Sequence, residues 1–240
     1  MADRQLTPAE IEAQVSKATA EAHSAEAEAK AHAAEAKKTS LEAEKLKIEL
    51  AKLERAEKAE LAKDHYFHIY VFDKPVASSS VEACINKLAE WSRIDPGCEI
   101  EIIFNSPGGS VIDGMALFDY IGRIRAAGHK VTTSTLGTAA SMAGILLQAG
   151  DVRTMGPQAW LLIHQASFGA MGSYGEVEDT VKWVEKVQEN ILDIFAQRAA
   201  EATGKDFKKV RAFIKRNWHR KDWWINAQEA LEHGFIDAIN

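Results

Sequence analysis

The sequence predicts a mixed α/β domain with a parallel-type sheet, preceded by a long N-terminal helical arm. Three observations carry this. The composition breaks near residue 64: all fifteen glycines lie at Gly97 or later, and all six tryptophans at Trp91 or later. Before the break, the chain is rich in Ala, Glu, Lys and Leu, with no glycine or proline between Pro8 and Lys63. After it, short apolar runs alternate with longer amphipathic ones, the pattern of strand–helix–strand units with right-handed crossovers. The expected division is residues 1–64 for the arm and 65–240 for the domain.

Size and charge exclude several classes. The 240 residues allow one sizeable domain or two small ones. A formal charge of −6 argues against a nucleic-acid or anionic-membrane binder. Cys84 and Cys98 match no metal-ligand or redox spacing, so reduced thiols, no metal and no cofactor are expected. Met1 to Gln5 leads into no apolar run, and no stretch reaches the length of a membrane span. These features imply a cytoplasmic protein.

The arm opens with Thr7-Pro8-Ala9-Glu10, where Thr7 can cap, Pro8 fits the first turn and Glu10 can close a capping box. Ile11, Val15, Ala18, Ala22, Ala25 and Ala29 step by four and three, and Leu46, Leu50 and Leu53 resume the step. This is a coiled-coil rhythm with a mostly alanine seam that loses register between its halves. The arm reads equally as a self-associating helix or a solvated tether. Its 11 basic and 14 acidic residues, a net of −3, exclude a basic nucleic-acid tail.

In the domain, Tyr66–Phe72 reads as a strand. Ser78-Ser-Ser80 caps a helix reaching about Arg93, and Asp95-Pro-Gly97 is a turn. Glu99–Phe104 is a strand, 110–127 a helix ended by Gly128, and Lys130–Leu136 a strand. A helix is expected over 138–149, short strands at Val152–Thr154 and Trp160–Ile163, and a long helix over 174–203 stopped by Gly204. A helix at 206–218, a strand at Trp223–Ile225 and a helix at 227–232 complete the chain.

The candidate chemistry centres on Thr138-Ala-Ala-Ser-Met-Ala-Gly144, where Ser141 sits among small residues at a strand-to-helix junction. A serine hydroxyl is a poor nucleophile until a base takes its proton. Of the eight histidines, only His164 directly follows an apolar strand, and one short strand and two turns separate it from Ser141. Both can therefore reach the same edge of the sheet, where open α/β sheets bind ligands. Asn105-Ser-Pro-Gly-Gly109 lies at another such junction, and paired glycines let backbone approach a ligand closely. The amides of Gly109 and Met142 can then form an oxyanion hole, each donor contributing about 2.7–4 kcal/mol. Taken singly, these residues read as small packing residues, a strand-end imidazole and a tight turn. There is no P-loop, no Gly-x-Ser-x-Gly elbow and no His-Glu-x-x-His. The basic, Trp-rich stretch Lys215–Trp224 reads as a helix C-terminus facing its own dipole.

With these residues placed, the chain resembles the Clp protease proteolytic-subunit (ClpP) family of the Clp/crotonase-like group. The resemblance rests on Phe104–Met115, Gly137–Gly144, Ile163-His-Gln165 and Ala227–Asp237, in the family's order and within roughly residues 66–240. It implies a stacked superhelix of ββα units, with Ser141 as nucleophile, His164 as base, and Gly109 and Met142 as oxyanion donors. It also implies a third catalytic member. Asp222-Trp-Trp-Ile-Asn-Ala227 lines up without a gap with the family's aspartate segment, so that role falls on Asp222, otherwise a turn residue opening a strand. Further implications are a polypeptide substrate, stacked homo-oligomeric rings (hexamer or heptamer), and the 174–203 helix as a handle between rings.

The arm departs from the family's short axial loop and resembles ClpP-like proteins of phages and prophages. The resulting expectation is a serine endopeptidase with a Ser-His-Asp acyl-enzyme mechanism, in a phage head-maturation role and in the host cytoplasm if phage-encoded. Its partners would be an ATPase unfoldase or capsid and scaffold proteins. A peptide would add as a strand along the Gly109–Ile112 edge. The alternatives are a catalytically weak scaffolding protein of the same fold and a crotonase-like acyl-CoA enzyme.

Overall fold

The computed structural model describes residues 7–64 and 66–240. Residues 1–6, where no leader is expected, and His65, the first residue of the expected domain, lie outside the described residues. The chain separates into two units, Met1–Ala62 and Lys63–Asn240.

Among its described residues the first unit is a single helix, α1 (Pro8–Leu61). The sequence cues at its start are realised: the Glu10 amide donates to Thr7 Oγ1 at 3.4 Å, and the Glu10 carboxylate accepts from the Thr7 amide at 2.8 Å. No described residue of α1 is buried. Leu46, Leu50 and Leu53 remain 58–67% exposed. Local propensity and i,i+4 pairs such as Lys30–Glu26 sustain the helix within this unit.

At the start of the second unit the Tyr66 amide donates to the Lys63 carbonyl, and the Phe67 and Ile69 amides to the Asp64 carbonyl. The unit continues as β1 (Ile69–Phe72), α2 (Ser78–Ile94), β2 (Glu99–Ser106), α3 (Val111–Ala126), β3 (Lys130–Ala140) and α4 (Met142–Leu147). Next come β4 (Val152–Met155), β5 (Trp160–Ile163), α5 (Tyr174–Thr203), α6 (Phe207–Trp218), β6 (Trp223–Asn226), α7 (Ala227–His233) and β7 (Ala238–Ile239). The sheet runs β1-β2-β3-β4-β7, all parallel, with β5 also pairing parallel to β3 and β6 pairing antiparallel to β5.

Three expectations need correction. β1 starts at Ile69, because turns occupy the chain before it. Thr138–Ala140 are strand, so the helix expected over 138–149 shrinks to Met142–Leu147. Small residues there suit a helix, but β5 lies alongside and supplies ladder partners, and pairing overrides propensity. Finally, Val111 and Ile112 form the first turn of α3, so no extended Gly109–Ile112 edge exists for a peptide to pair with.

On the side away from β2, the eleven-residue β3 serves two neighbours. Thr132–Thr135 pair with β4 and Thr138–Ala140 with β5. Between them Gly137 bends the strand at φ +99°, where a Cβ would also strike Asn105 Oδ1. Under the sheet, Ile100, Ile102 and Phe104 of β2 are buried with Leu88, Leu117 and Ile121 of the helices. Each such side chain contributes about 1.5–3 kcal/mol on burial. Gly114 lets α3 close onto Met142, whose side chain would lie 2.3 Å from an added Cβ.

Candidate active site

Ser141 follows β3 directly. Its amide donates to the Leu162 carbonyl at 3.0 Å, fixing it to β5. The chain then turns through φ 55°, ψ −121° at Ser141 and enters α4, all six residues of which are buried. For a residue with a Cβ this backbone costs about 1–3 kcal/mol and persists only where its surroundings impose it. The result is a hydroxyl carried on the sharp corner between strand and helix.

Register explains how its partners arrive. Ala140 pairs with Leu162, so the residues following β3 and β5 leave the sheet at one end. His164 follows Ile163, and its Nε2 lies 2.7 Å from Ser141 Oγ. Ile163 in turn pairs antiparallel with Trp223, and extending that ladder by one step sets His164 opposite Asp222. Asp222 Oδ1 lies 3.6 Å from His164 Nδ1, beyond hydrogen-bond length but within ion-pair range, and its side chain is 63% exposed. A neutral imidazole accepting the serine proton at Nε2 carries its own proton on Nδ1, facing that carboxylate.

The glycine loop meets the same corner. A Cβ on Gly108 would stand 2.7 Å from Ser141 Cβ and 2.8 Å from the Met142 nitrogen. Gly109 bridges to Val76 through its flanking groups: the Val76 amide donates to the Gly108 carbonyl and the Ser110 amide to the Val76 carbonyl, each at 2.8 Å. The Gly109 amide is on the other side of that bridge. The Met142 amide opens α4, where no carbonyl one turn back can receive it.

Sequence reasoning missed the groups that hold this loop and its surroundings. Buried Ser106 donates to the Lys74 carbonyl at 2.6 Å and accepts from the Gly108 amide at 3.2 Å. A serine two residues before a glycine turn is the local signal for such a bond. Asn105 Oδ1 accepts from the Thr138 amide at 3.3 Å. Gln165 Oε1 accepts from the Arg220 amide at 3.0 Å, tying the turn before Asp222 to the residue after His164, and this long-range bond has no sequence signature.

Beside the serine is a narrow recess of about 20 Å³, lined by Val111, Ile145, Ala166, Ile191 and Phe195 among others. Larger hollows, about 400 Å³ by Tyr70 and Phe72 and about 530 Å³ by Phe213 and His233, bring no histidine to a serine. Size alone does not mark the chemistry here. Within α6, Lys215 of the last turn donates to Glu189 Oε1 at 2.9 Å and Arg211 also pairs with Glu189, so these charges meet a carboxylate of α5.

A model of the Clp protease family matches residues 55–240. The chain is 38% identical over 155 residues to the ATP-dependent Clp protease proteolytic subunit of Bacteroides fragilis, covering 64% of this chain and 69% of that protein. The same values of identity and length hold for the Bacteroides thetaiotaomicron protein of that name, of which 65% is covered. ATP-dependent Clp protease proteolytic subunit 1 of Chlamydia muridarum is 34% identical over 172 residues, 70% of this chain and 83% of that protein. The chain thus spans about two thirds of the Bacteroides relatives' length.

Proposed function

The chain belongs to the Clp protease family, and we propose that it is a serine endopeptidase in which Ser141, His164 and Asp222 act in sequence on a peptide carbonyl. The reading rests on the 2.7 Å contact between His164 Nε2 and Ser141 Oγ. Ser141 Oγ attacks the carbonyl carbon while its proton passes to His164 Nε2. The Asp222 carboxylate stabilises the imidazolium. The carbonyl oxygen, now an oxyanion, accepts from the amides of Gly109 and Met142. Collapse breaks the C–N bond as His164 returns the proton to the departing amine. Water then adds to the acyl-enzyme with the same proton transfers and restores Ser141. The apolar recess beside Ser141 suits a small apolar side chain next to the scissile bond.

Ring assembly of six or seven copies, stacked through α5, is part of this reading. Tyr174, Val181 and Trp183 on the first half of α5 are 84%, 38% and 49% exposed, apolar surface suited to another copy. A phage head-maturation role rests on the arm, most of which precedes the family match. In that setting the arm engages capsid or scaffold proteins in place of an ATPase unfoldase.

Ser141→Ala should abolish fluorophosphonate labelling and cleavage of an unfolded protein while preserving the assembled mass. Undiminished cleavage by that variant ends the proposal. The second reading, a scaffolding protein with residual chemistry, is favoured by the long, exposed Asp222 contact. It predicts wild-type labelling no faster than that of Ser141→Ala.

A further inference from the structure

The spacing of His and Cys offers no metal pattern, but folding gathers three donors from separate segments. His68 precedes β1, Asp95 is the C-cap of α2, and Cys98 leads into β2. An imidazole nitrogen, a carboxylate oxygen and the Cys98 Sγ lie within 4.8 Å of one another. We propose that His68, Asp95 and Cys98 form a zinc site that clips the start of β1 to the α2–β2 turn, with water as the fourth ligand. One nitrogen, one oxygen and one thiolate suit a borderline-soft ion; calcium and magnesium prefer all-oxygen shells.

Each donor is held by the fold. Pro96 and Gly97 (φ +82°) occupy the corner of a turn closed by the Cys98 amide on the Asp95 carbonyl at 3.2 Å, which brings Asp95 and Cys98 together. His68 adopts φ 55°, its carbonyl accepts from the Glu101 amide at 3.0 Å, and its ring stands edge-on to Trp91 at 5.4 Å. Behind the sulfur sits His129, 4% exposed. Its Nδ1 lies 3.2 Å from the Cys98 carbonyl, which can only accept, so Nδ1 carries the proton. The bare Nε2 then takes the Ser92 hydroxyl at 2.9 Å. The same Nδ1–H faces Cys98 Sγ at 3.3 Å, a buried outer-shell donor supporting a thiolate. Without a cation, burial and then the charge of Asp95 raise the thiol's pKa; a bound divalent ion reverses that balance and displaces the proton.

The cluster is at the N-terminal ends of β1 and β2, whereas Ser141 and His164 follow the C-terminal ends of β3 and β5. In a parallel sheet these are opposite edges, so the clip takes no part in peptide chemistry.

The test is titration of the full, untagged, metal-free chain with Co²⁺, followed by displacement with Zn²⁺. The expected result is one Co²⁺ per chain, with the visible bands of a four-coordinate site and a thiolate-to-cobalt charge-transfer band, and a higher Tm with Zn²⁺. Cys98→Ser should lose the charge-transfer band, Cys84→Ser should keep it, and His129→Gln should weaken binding about 10–100-fold. Asp95→Ala changes an exposed side chain, keeps the fold, and should weaken cobalt binding about tenfold or more, so it decides the matter if Cys98→Ser misfolds. Absence of the thiolate band, its survival in Cys98→Ser, or unchanged affinity in Asp95→Ala overturns the site.

Discussion

Gly108 packs closely on Ser141: an added Cβ would stand 2.7 Å from the serine's own. Alanine at 108 would need a Cβ 2.5 Å from the Ala140 carbonyl at φ +85°, so the loop or the serine corner must move. Gly108→Ala should lower fluorophosphonate labelling by at least about a hundredfold, the scale on which a 1 Å misplacement acts. Gly204→Ala is the control: the position has φ +67° with open space around it, so alanine costs about 1–2 kcal/mol and should leave labelling intact. Asp222 offers a graded test. A buried, hydrogen-bonded aspartate in such a triad is worth about 10⁴-fold in kcat. Here the carboxylate is 63% exposed and 3.6 Å away, so Asp222→Asn should cost clearly less than that, measured as kcat on a small peptide ester. A loss equal to that of Ser141→Ala would contradict this ranking. At this scale Ser141 stood out by its place among small residues at a strand-to-helix junction, and His164 by directly following an apolar strand. The Ser106–Lys74 and Gln165–Arg220 bonds were not legible, since they reach 32 and 55 residues along the chain.

Among the elements, β4 and the C-terminal segment are joined by one buried cation. Arg153 is 1% exposed; it donates to Asp237 Oδ1 at 2.6 Å, to Gln148 Oε1 at 2.8 Å and to the Gly234 carbonyl at 3.0 Å. Burial alone would raise the Asp237 carboxyl, but hydrogen bonds from Arg153 and its charge outweigh it, and the pKa falls below 3.8. A depressed folded pKa contributes stability that is complete above the unfolded value and drains away as pH falls through the folded one. Asp237→Asn should therefore remove part of the acid limb of a stability–pH curve. At neutral pH it should cost about 3 kcal/mol, the low end for a broken buried pair because two other acceptors remain. In melting experiments this is roughly 6–12 °C, and an unchanged Tm would show that the pair is not stabilising. Most helices and strands were readable from glycine stops and apolar periodicity. The end of β3 was not, because Thr138-Ala-Ala140 has helix-like composition and is strand only by virtue of β5 beside it.

For the whole molecule, the informative boundary lies between Ala62 and Lys63. Nothing in α1 is buried, so removing residues 1–62 should leave the melting temperature of the remaining unit unchanged within about 1 °C. A large drop would mean that the arm contributes to the folded core. The break in glycine and tryptophan usage near residue 64 lies close to this boundary. The antiparallel addition of β6 was hidden, since its partner is set by a distant register. That addition has a further consequence. Ser141 is tied through its backbone amide to β5, while Asp222 stands just ahead of β6, the strand that pairs only with β5. Gentle heating should therefore first blunt the machine, by loosening the strand that carries the acid, and only later disarm it, when the sheet itself gives way.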